Sequence, residues 1–382
     1  MADWLLATRR VLGVARAYVK DSGLHFKRTG GEYPSIVRRL SEQAGLMLLN
    51  AITVSDYYYF GLYRSDKSWR EKRQYVGHYL VGRTYGAINS PSVEFVLKDK
   101  VVFRQICAAN RLPMVEVLGT YSEHDIKLPW SHIPNIDALR DFLLRDGVEN
   151  VFIKPSGAQE GAGVLSLGKR LDATGWESLP LKSRVSIEQV IAHVQADWAN
   201  MDWLIERRAL PHPEMAEVIP NICSTVRLIT LNNRKLGPRI LGALVRFGTG
   251  DSAADNHKGS GLVAMVDLET GVIGKCLNAS HGIAEFCTSH PRTGVAITGR
   301  MVPDWEGVKD LAIESAKVFG YFNCVGWDVG VTDKGPVLIE GNGRSGLSSM
   351  QILSDKGLLA GPFGDELRSK SGISKSGVVI PE

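Results

Sequence analysis

Apolar residues along the first third of the chain recur at helical spacing. Trp4, Leu5, Val11, Leu12, Ala15 and Val19 make one apolar side, with Arg9, Arg10, Arg16 and Lys20 elsewhere, and predict a helix over 3–20. The same periodicity predicts helices over 36–49, 66–80 and 91–110. The run Tyr57-Tyr58-Tyr59-Phe60 reads most simply as core. After Pro113 the texture changes to short strands between loops. Strands are predicted at 151–154, 163–167, 203–207, 226–232, 240–247 and 262–267, with a helix over 186–194. Asp304 can cap a helix whose apolar stripe is Trp305, Val308, Leu311, Ala312, Val318 and Phe319, with Gly320 closing it. The last twenty or so residues, rich in Gly, Ser and Lys, read as a loose tail.

A chain of 382 residues exceeds one small core, so two or three subdomains are expected. No apolar run approaches the length of a membrane span, and the start lacks the long apolar stretch of a secretory signal. The five cysteines, at 107, 223, 276, 287 and 324, are odd in number and form no C-x-x-C pair. That points to reduced thiols in a cytoplasmic protein and away from a structural zinc site. Charge is uneven. Residues 1–111 hold 18 Lys and Arg against 9 Asp and Glu, whereas the remainder holds 27 against 32. A basic third could face an anionic substrate, a membrane surface or nucleic acid, though a solvated helical surface is the simplest account. No nucleic-acid module is recognisable. The helix over 3–20 could lie on a membrane interface, but packing on its own domain or on a second subunit is the commoner use of such a helix.

The segment 326–342 carries the densest chemistry. Two short strands flank Asp333-Lys334-Gly335, which reads as a three-residue loop with Gly in the left-handed last position. Thr332 then pairs with Pro336, Asp328 stands opposite Glu340, and Asn342 shares Glu340's face. Three hard oxygen ligands on one face of a hairpin suit Mg²⁺, which in such sites usually carries a nucleotide's phosphates.

Lys154 ends a strand and is followed by Pro155-Ser156-Gly157-Ala158-Gln159-Glu160-Gly161-Ala162-Gly163, a loop whose glycines can turn N–H groups toward phosphate oxygens. Lysine precedes the glycines, so this is not a P-loop. Gly341-Asn342-Gly343-Arg344-Ser345-Gly346 matches G-x-G-x-x-G, but only 36 residues follow, too few for the βαβ unit of a dinucleotide site. Arg227 and Arg246 lie inside apolar strands, where a guanidinium is costly without an anion.

The order of these parts resembles the ATP-grasp superfamily, and within it the sugar-transfer-associated ATP-grasp branch. The segments carrying the resemblance are Leu97-Lys98-Asp99-Lys100-Val101-Val102-Phe103, Phe152-Ile153-Lys154-Pro155, Leu204-Ile205-Glu206 with His212-Pro213-Glu214, Ser224-Thr225-Val226-Arg227, Asp255-Asn256, His290-Pro291-Arg292-Thr293-Gly294 and the hairpin. Together they cover about residues 90–355. The resemblance implies an α+β fold in which two subdomains clasp ATP, preceded here by a mainly helical region. The expected divisions are 1–110, helical; 111–205, a lid subdomain with the Gly-rich loop; 206–360, the subdomain with the Mg²⁺ site; and 361–382, the tail.

The resemblance also implies roles. Lys100 and Lys154 match the lysines on the ATP phosphates, and Ser156, Gly157, Gly161 and Gly163 belong to the loop closing over them. Glu206, Arg207 and Ala209 match the hinge that meets adenine, Glu214 a ribose partner, and Arg227 the arginine near the transferring phosphoryl. Asp328, Glu340 and Asn342 match the Mg²⁺ ligands. The implied activity is an ADP-forming carboxylate–amine ligase working through an acyl phosphate on small molecules such as amino acids, peptides or sugar-linked acids. A kinase on the same fold and an inactive nucleotide-binding partner stand as alternatives. The helical N-terminal third departs from the α/β domain that often precedes this fold. Spacing around Lys258 and Gly343 also departs, leaving Arg246, Asn256, His257, Lys258 and Arg344 as substrate-side candidates. His281 and His290 are candidate proton acceptors, with a structural role the simpler reading.

Overall fold

The computed structural model describes residues 35–78, 80–81, 88–158, 161–179, 182–196, 201–233, 236–248, 261–278, 285–343, 347–361 and 364–365. The expected helix over 3–20, most of the tail, and Asn256, His257, Lys258, His281 and Arg344 lie outside these residues. The chain divides into two compact units. One is drawn from Met1–Ile88, His281–Glu285 and Gly346–Glu382, the other from Asn89–Ser280 and Phe286–Ser345.

In the first unit, Ser35 caps a helix over Ile36–Asn50, and Thr53 with Asp56 forms a capping box for Val54–Tyr59. Tyr57, Tyr58 and Phe60 are buried, as their run suggested. The helix predicted over 66–80 is cut to Trp69–Lys72. The buried Asn50 amide takes the carbonyls of Arg73 and Tyr75 at 3.0 Å each, diverting them from helical partners. Gly77 then runs so close to the chain that a Cβ there would lie 2.0 Å from the Ala51 carbonyl oxygen. Lys72, fully buried, is held by Glu42 at 2.7 Å, which also accepts from the Tyr57 hydroxyl at 2.7 Å.

The second unit carries two seven-stranded sheets, all of whose residues except Glu285 belong to it. The first comprises β1 (Val117–Tyr121), β2 (Ser131–Ile133), β3 (Val151–Pro155), β4 (Leu165–Asp172), β5 (Gly175–Ser178), β6 (Arg184–Ser186) and β7 (Trp203–Arg207). Their spatial order is β2-β1-β7-β3-β4-β5-β6, antiparallel except for β1 with β2. Helices Ile136–Leu144 and Ile187–Gln195 cover it through Leu139, Phe142, Val190 and Val194, against Val151, Ile153, Trp176 and Trp203. The second comprises β8 (Thr225–Asn233), β9 (Gly237–Phe247), β10 (Leu262–Val266), β11 (Ile273–Asn278), β12 (Glu285–Cys287), β13 (Cys324–Thr332) and β14 (Gly335–Asn342), in the order β12-β11-β10-β9-β8-β13-β14. The helix Trp305–Val318, capped by Asp304 as expected, packs Val308, Leu311 and Ala312 into the core with Leu228, Val245 and Trp327. It ends at Phe319 in an ordinary conformation, and Gly320 is not left-handed.

The single helix predicted over 91–110 is broken at Asp99. That residue is extended (φ −81°, ψ 114°), and its carboxylate accepts from the Val102 N–H at 2.9 Å. A helix over Phe95–Lys98 stops there, and a second, Lys100–Ala109, starts. The break puts Lys100 in a first helical turn, where its N–H meets the Ser156 carbonyl at 3.0 Å.

Candidate functional site

The β13–β14 hairpin does bring Asp328 opposite Glu340, but by a route the sequence pattern did not anticipate. Thr332 pairs with Gly335, not Pro336, and the register continues through Val329 with Leu338. Gly335 has φ +104°, as a left-handed turn residue should. In that register Glu340 would stand opposite Trp327, on the core face. A β-bulge at Ile339 inserts one residue, and from there Asp328 pairs with Glu340 and Gly326 with Asn342. On its other side Asp328 pairs with Arg227 of β8. Arg227, Asp328 and Glu340 therefore form a row across three adjacent strands.

Every residue of β13 is buried, Asp328 included at 2% exposure, so its charge needs partners. Arg227 forks onto it, Nε to Oδ1 and Nη2 to Oδ2, both at 2.6 Å. Arg246 adds a contact at 3.4 Å. Burial alone would raise the Asp328 pKa; the two arginines more than offset it and hold it at about 2. The buried strand arginines thus have their anion, and it is the same one. Glu340 is half-buried, and burial together with the Asp328 charge pushes its carboxyl up. The Asn342 amide nitrogen lies 3.3 Å from Asp328 and 3.1 Å from Glu340.

These three side chains fit a divalent cation by donor chemistry. Two carboxylates and an amide converge, and turning the amide over presents its oxygen to the same point. Asp328 has both oxygens engaged by Arg227, so a cation would share or displace that fork. No group of three or more His, Cys, Asp or Glu poised for a metal occurs among the described residues; the third member here is an amide.

A second cluster surrounds Glu206 at the end of β7. The residue is 1% exposed and takes Lys154 on Oε2 at 2.7 Å and Arg104 on Oε1 at 2.6 Å. Burial would raise its pKa, and the two cations instead hold it at about 2. Lys100 donates to the carbonyls of Pro155 at 3.2 Å and Ser156 at 3.4 Å, and to that of Ala158, so it grips the base of the Gly-rich loop. Burial and the neighbouring Lys154 lower its pKa, while Glu340 and Glu206 oppose them. Lys100, Lys154, Glu206 and Glu340 therefore share one electrostatic environment. At the loop's far end Gly161 and Gly163 have φ +77° and +71°, and the His193 ring meets the Gly163 carbonyl at 2.9 Å. Ser156 is buried with its N–H on the Asp202 carbonyl at 2.7 Å; Gly157 is exposed.

Beyond β7, Arg207 turns its side chain outward to Glu116 and to the Gly147 carbonyl. The N–H groups of Arg207 and Arg208 are spent on Glu116 and Asn150, while the backbone of the half-buried Ala209 has no partner among the described residues. Glu214 is exposed in the first turn of the Pro213–Val218 helix. His290 is fully buried: one ring nitrogen lies 3.0 Å from the Gly248 carbonyl, and the other accepts from Arg292 and Thr293. One nitrogen is committed to the turn that follows it and the other to the distant Gly248 carbonyl, so it has no free proton-accepting atom. The residue missed from the sequence is Arg104. Its one signal was its spacing, four residues past Lys100 on a helix, which puts both on one face.

A family model described as sugar-transfer associated ATP-grasp matches residues 82–361. Solved structures of similar shape include D-alanyl-alanine synthetase A from Vibrio cholerae O1 biovar eltor str. N16961, with 12% identity, TM-score 0.41, and coverage of 72% of this chain and 65% of that one. They also include a D-alanine-D-alanine ligase from Coxiella burnetii, with 14% identity, TM-score 0.37, and coverage of 72% and 57%. A third is the D-alanine–D-alanine ligase from Bacillus anthracis, with 11% identity, TM-score 0.40, and coverage of 75% and 76%. The chain thus spans less than two thirds of the first two. No curated protein matches it.

Proposed function

The chain belongs to the sugar-transfer associated ATP-grasp family and has the α+β ATP-grasp fold, and from that premise we propose that it is an ADP-forming ligase joining a carboxylate to an amine. The observation that carries the reading is the charged row Arg227–Asp328–Glu340, electrostatically coupled to Lys100 and so to the Lys154–Glu206 pair. Charge balance supports a nucleotide. Five cations, Lys100, Arg104, Lys154, Arg227 and Arg246, face three carboxylates, Glu206, Asp328 and Glu340, leaving two positive charges. Magnesium-bound ATP carries about two negative charges near neutral pH, so the set complements it.

In this reading Lys100 and Lys154 neutralise phosphate oxygens, and the glycines Gly157, Gly161 and Gly163 of the loop after Lys154 turn backbone N–H groups toward them. Asp328, Glu340 and Asn342 would hold Mg²⁺, which supplies Lewis-acid polarisation of the phosphates when bound. The substrate carboxylate attacks the γ-phosphorus, the bond to the bridging oxygen breaks, and ADP leaves. Arg227 neutralises charge on the transferring phosphoryl. An amine then attacks the acyl carbon; phosphate departs, the amine loses a proton, and an amide forms. His290 has both ring nitrogens hydrogen-bonded inside the protein, and the proposed chemistry asks for positioning and electrostatics rather than a base from it. The half-buried Ala209 backbone supports an adenine edge at the hinge.

Hydroxylamine trapping tests the reaction. With ATP, Mg²⁺ and a pooled set of small carboxylic acids, the protein should release ADP and yield an acid-dependent hydroxamate. A stable phosphorylated product that resists hydroxylamine indicates a kinase and overturns the ligase reading.

A further inference from the structure

We infer that Arg104 is a positioning residue that holds the Ile339 bulge, and with it the face on which Glu340 stands. The inference rests on the reading of Asp328, Glu340 and Asn342 as cation ligands. Arg104 is 2% exposed and spends its whole fork inside the protein. Nε goes to Glu206 at 2.6 Å, Nη1 to the Leu338 carbonyl at 2.8 Å, and Nη2 to the Ile339 carbonyl at 2.7 Å. In a regular strand consecutive carbonyls point to opposite sides, so one guanidinium cannot take both. Here β14 is an edge strand. Leu338 already turns its N–H outward to the Pro113 carbonyl at 2.8 Å, and the extra residue turns the next carbonyl the same way. The guanidinium thus reads the bulge: its two terminal nitrogens are satisfied together only when Ile339 is the inserted residue.

The consequence follows from the register. Without the bulge Glu340 would pair with Trp327, whose ring is fully buried in the core, and would leave the face of Asp328. The third arm of Arg104 reaches the carboxylate that also holds Lys154. One side chain therefore sets the proposed cation carboxylate and steadies a proposed phosphate lysine, on two different sheets.

Arg104→Lys keeps a charge for Glu206 but, as a single point of donation, cannot reach Glu206 and fork across both β14 carbonyls at once. Purified wild-type and variant protein are compared by calorimetric titration of ADP at a series of Mg²⁺ concentrations. We expect the Mg²⁺ concentration for half-maximal binding to rise about tenfold in Arg104→Lys, with ADP affinity at saturating Mg²⁺ within about threefold. Glu206→Gln should do the reverse, weakening ADP with little change in Mg²⁺ dependence. A purely structural role would move both quantities together. Register is read separately by oxidising an Asp328→Cys, Glu340→Cys double variant and quantifying the linked peptide by mass spectrometry. Arg104→Lys in that background should cut the yield at least fivefold. An unchanged yield overturns the inference regardless of nucleotide binding. A reduced yield in a protein whose wild type shows no Mg²⁺-dependent ADP binding upholds the bulge clamp and overturns the cation-site reading instead.

Discussion

Replacing Glu206 by Gln removes the one negative charge shared by Arg104 and Lys154 while nearly preserving shape. The carboxylate is buried, with cations at 2.6 and 2.7 Å, and its pKa falls from an ordinary 4.5 to about 2. That difference corresponds to roughly 3 kcal/mol of stability at neutral pH. Removing one member of a buried ionic cluster costs roughly 3–5 kcal/mol, because the remaining charges lose their compensation. The two routes agree on scale. The sign follows from the depressed value: the contribution is complete above the unfolded pKa near 4.5 and is lost as pH falls toward 2. Urea unfolding followed by tryptophan fluorescence suits the assay, since Trp203 and Trp176 are fully buried in the core of the same sheet. At pH 7, Glu206→Gln should be less stable than wild type by roughly 3–4 kcal/mol. By pH 3 the gap should narrow by about 2 kcal/mol. Asp328 titrates in the same window in both proteins, so the difference between them isolates Glu206. A gap that stays constant from pH 7 to pH 3 would refute the charge argument and leave only a packing defect.

Arg227→Lys keeps the positive charge but loses the two-point fork on Asp328; initial-rate measurements should show kcat for ADP release down about a hundredfold, with KM for ATP changed much less. Gly77→Ala should lower stability by roughly 1–3 kcal/mol, since its Cβ would lie 2.0 Å from the Ala51 carbonyl oxygen and backbone must shift; a melting temperature within a degree of wild type would contradict that packing. Trp327→Ala, which empties a fully buried site and removes the indole donor from the Thr230 hydroxyl at 2.8 Å, should cost roughly 3–5 kcal/mol by chemical denaturation.

Local pattern made much of this molecule legible. The Asp304 cap, the Trp305–Val318 stripe and the strand over Trp203–Arg207 follow from short-range rules that tertiary contacts did not override. Residue order put Asp328, Glu340 and Asn342 on the two arms of one hairpin, although their shared face depends on the bulge. Other elements were beyond local reading. The helix over 66–80 lost to Asn50, a residue more than twenty positions away whose amide takes two of its carbonyls. The helix over 91–110 broke because Asp99 capped the following segment instead of continuing the first. The short helices Val54–Tyr59, Ile136–Leu144 and Pro213–Val218 were also missed; periodicity is weak in such short segments, though it sufficed for the nine-residue Ile187–Gln195.

The hairpin marks the boundary best. Residue order alone put an acid on each arm, a glycine in the turn and an asparagine two residues on. The expected three-residue loop was off by one, and a one-residue slip in a strand turns every side chain to the other face. The bulge at Ile339 cancels that slip, so the expected pair forms by a different path. Nothing in the pattern near Ile339 announces the bulge. It is stabilised by a guanidinium from a helix more than 230 residues away, clasping two carbonyls that no local rule would have left facing the same side. Side-chain alternation is local and can be read from sequence; the partner that selects one register over another comes from long-range packing, and only the folded chain brings it there.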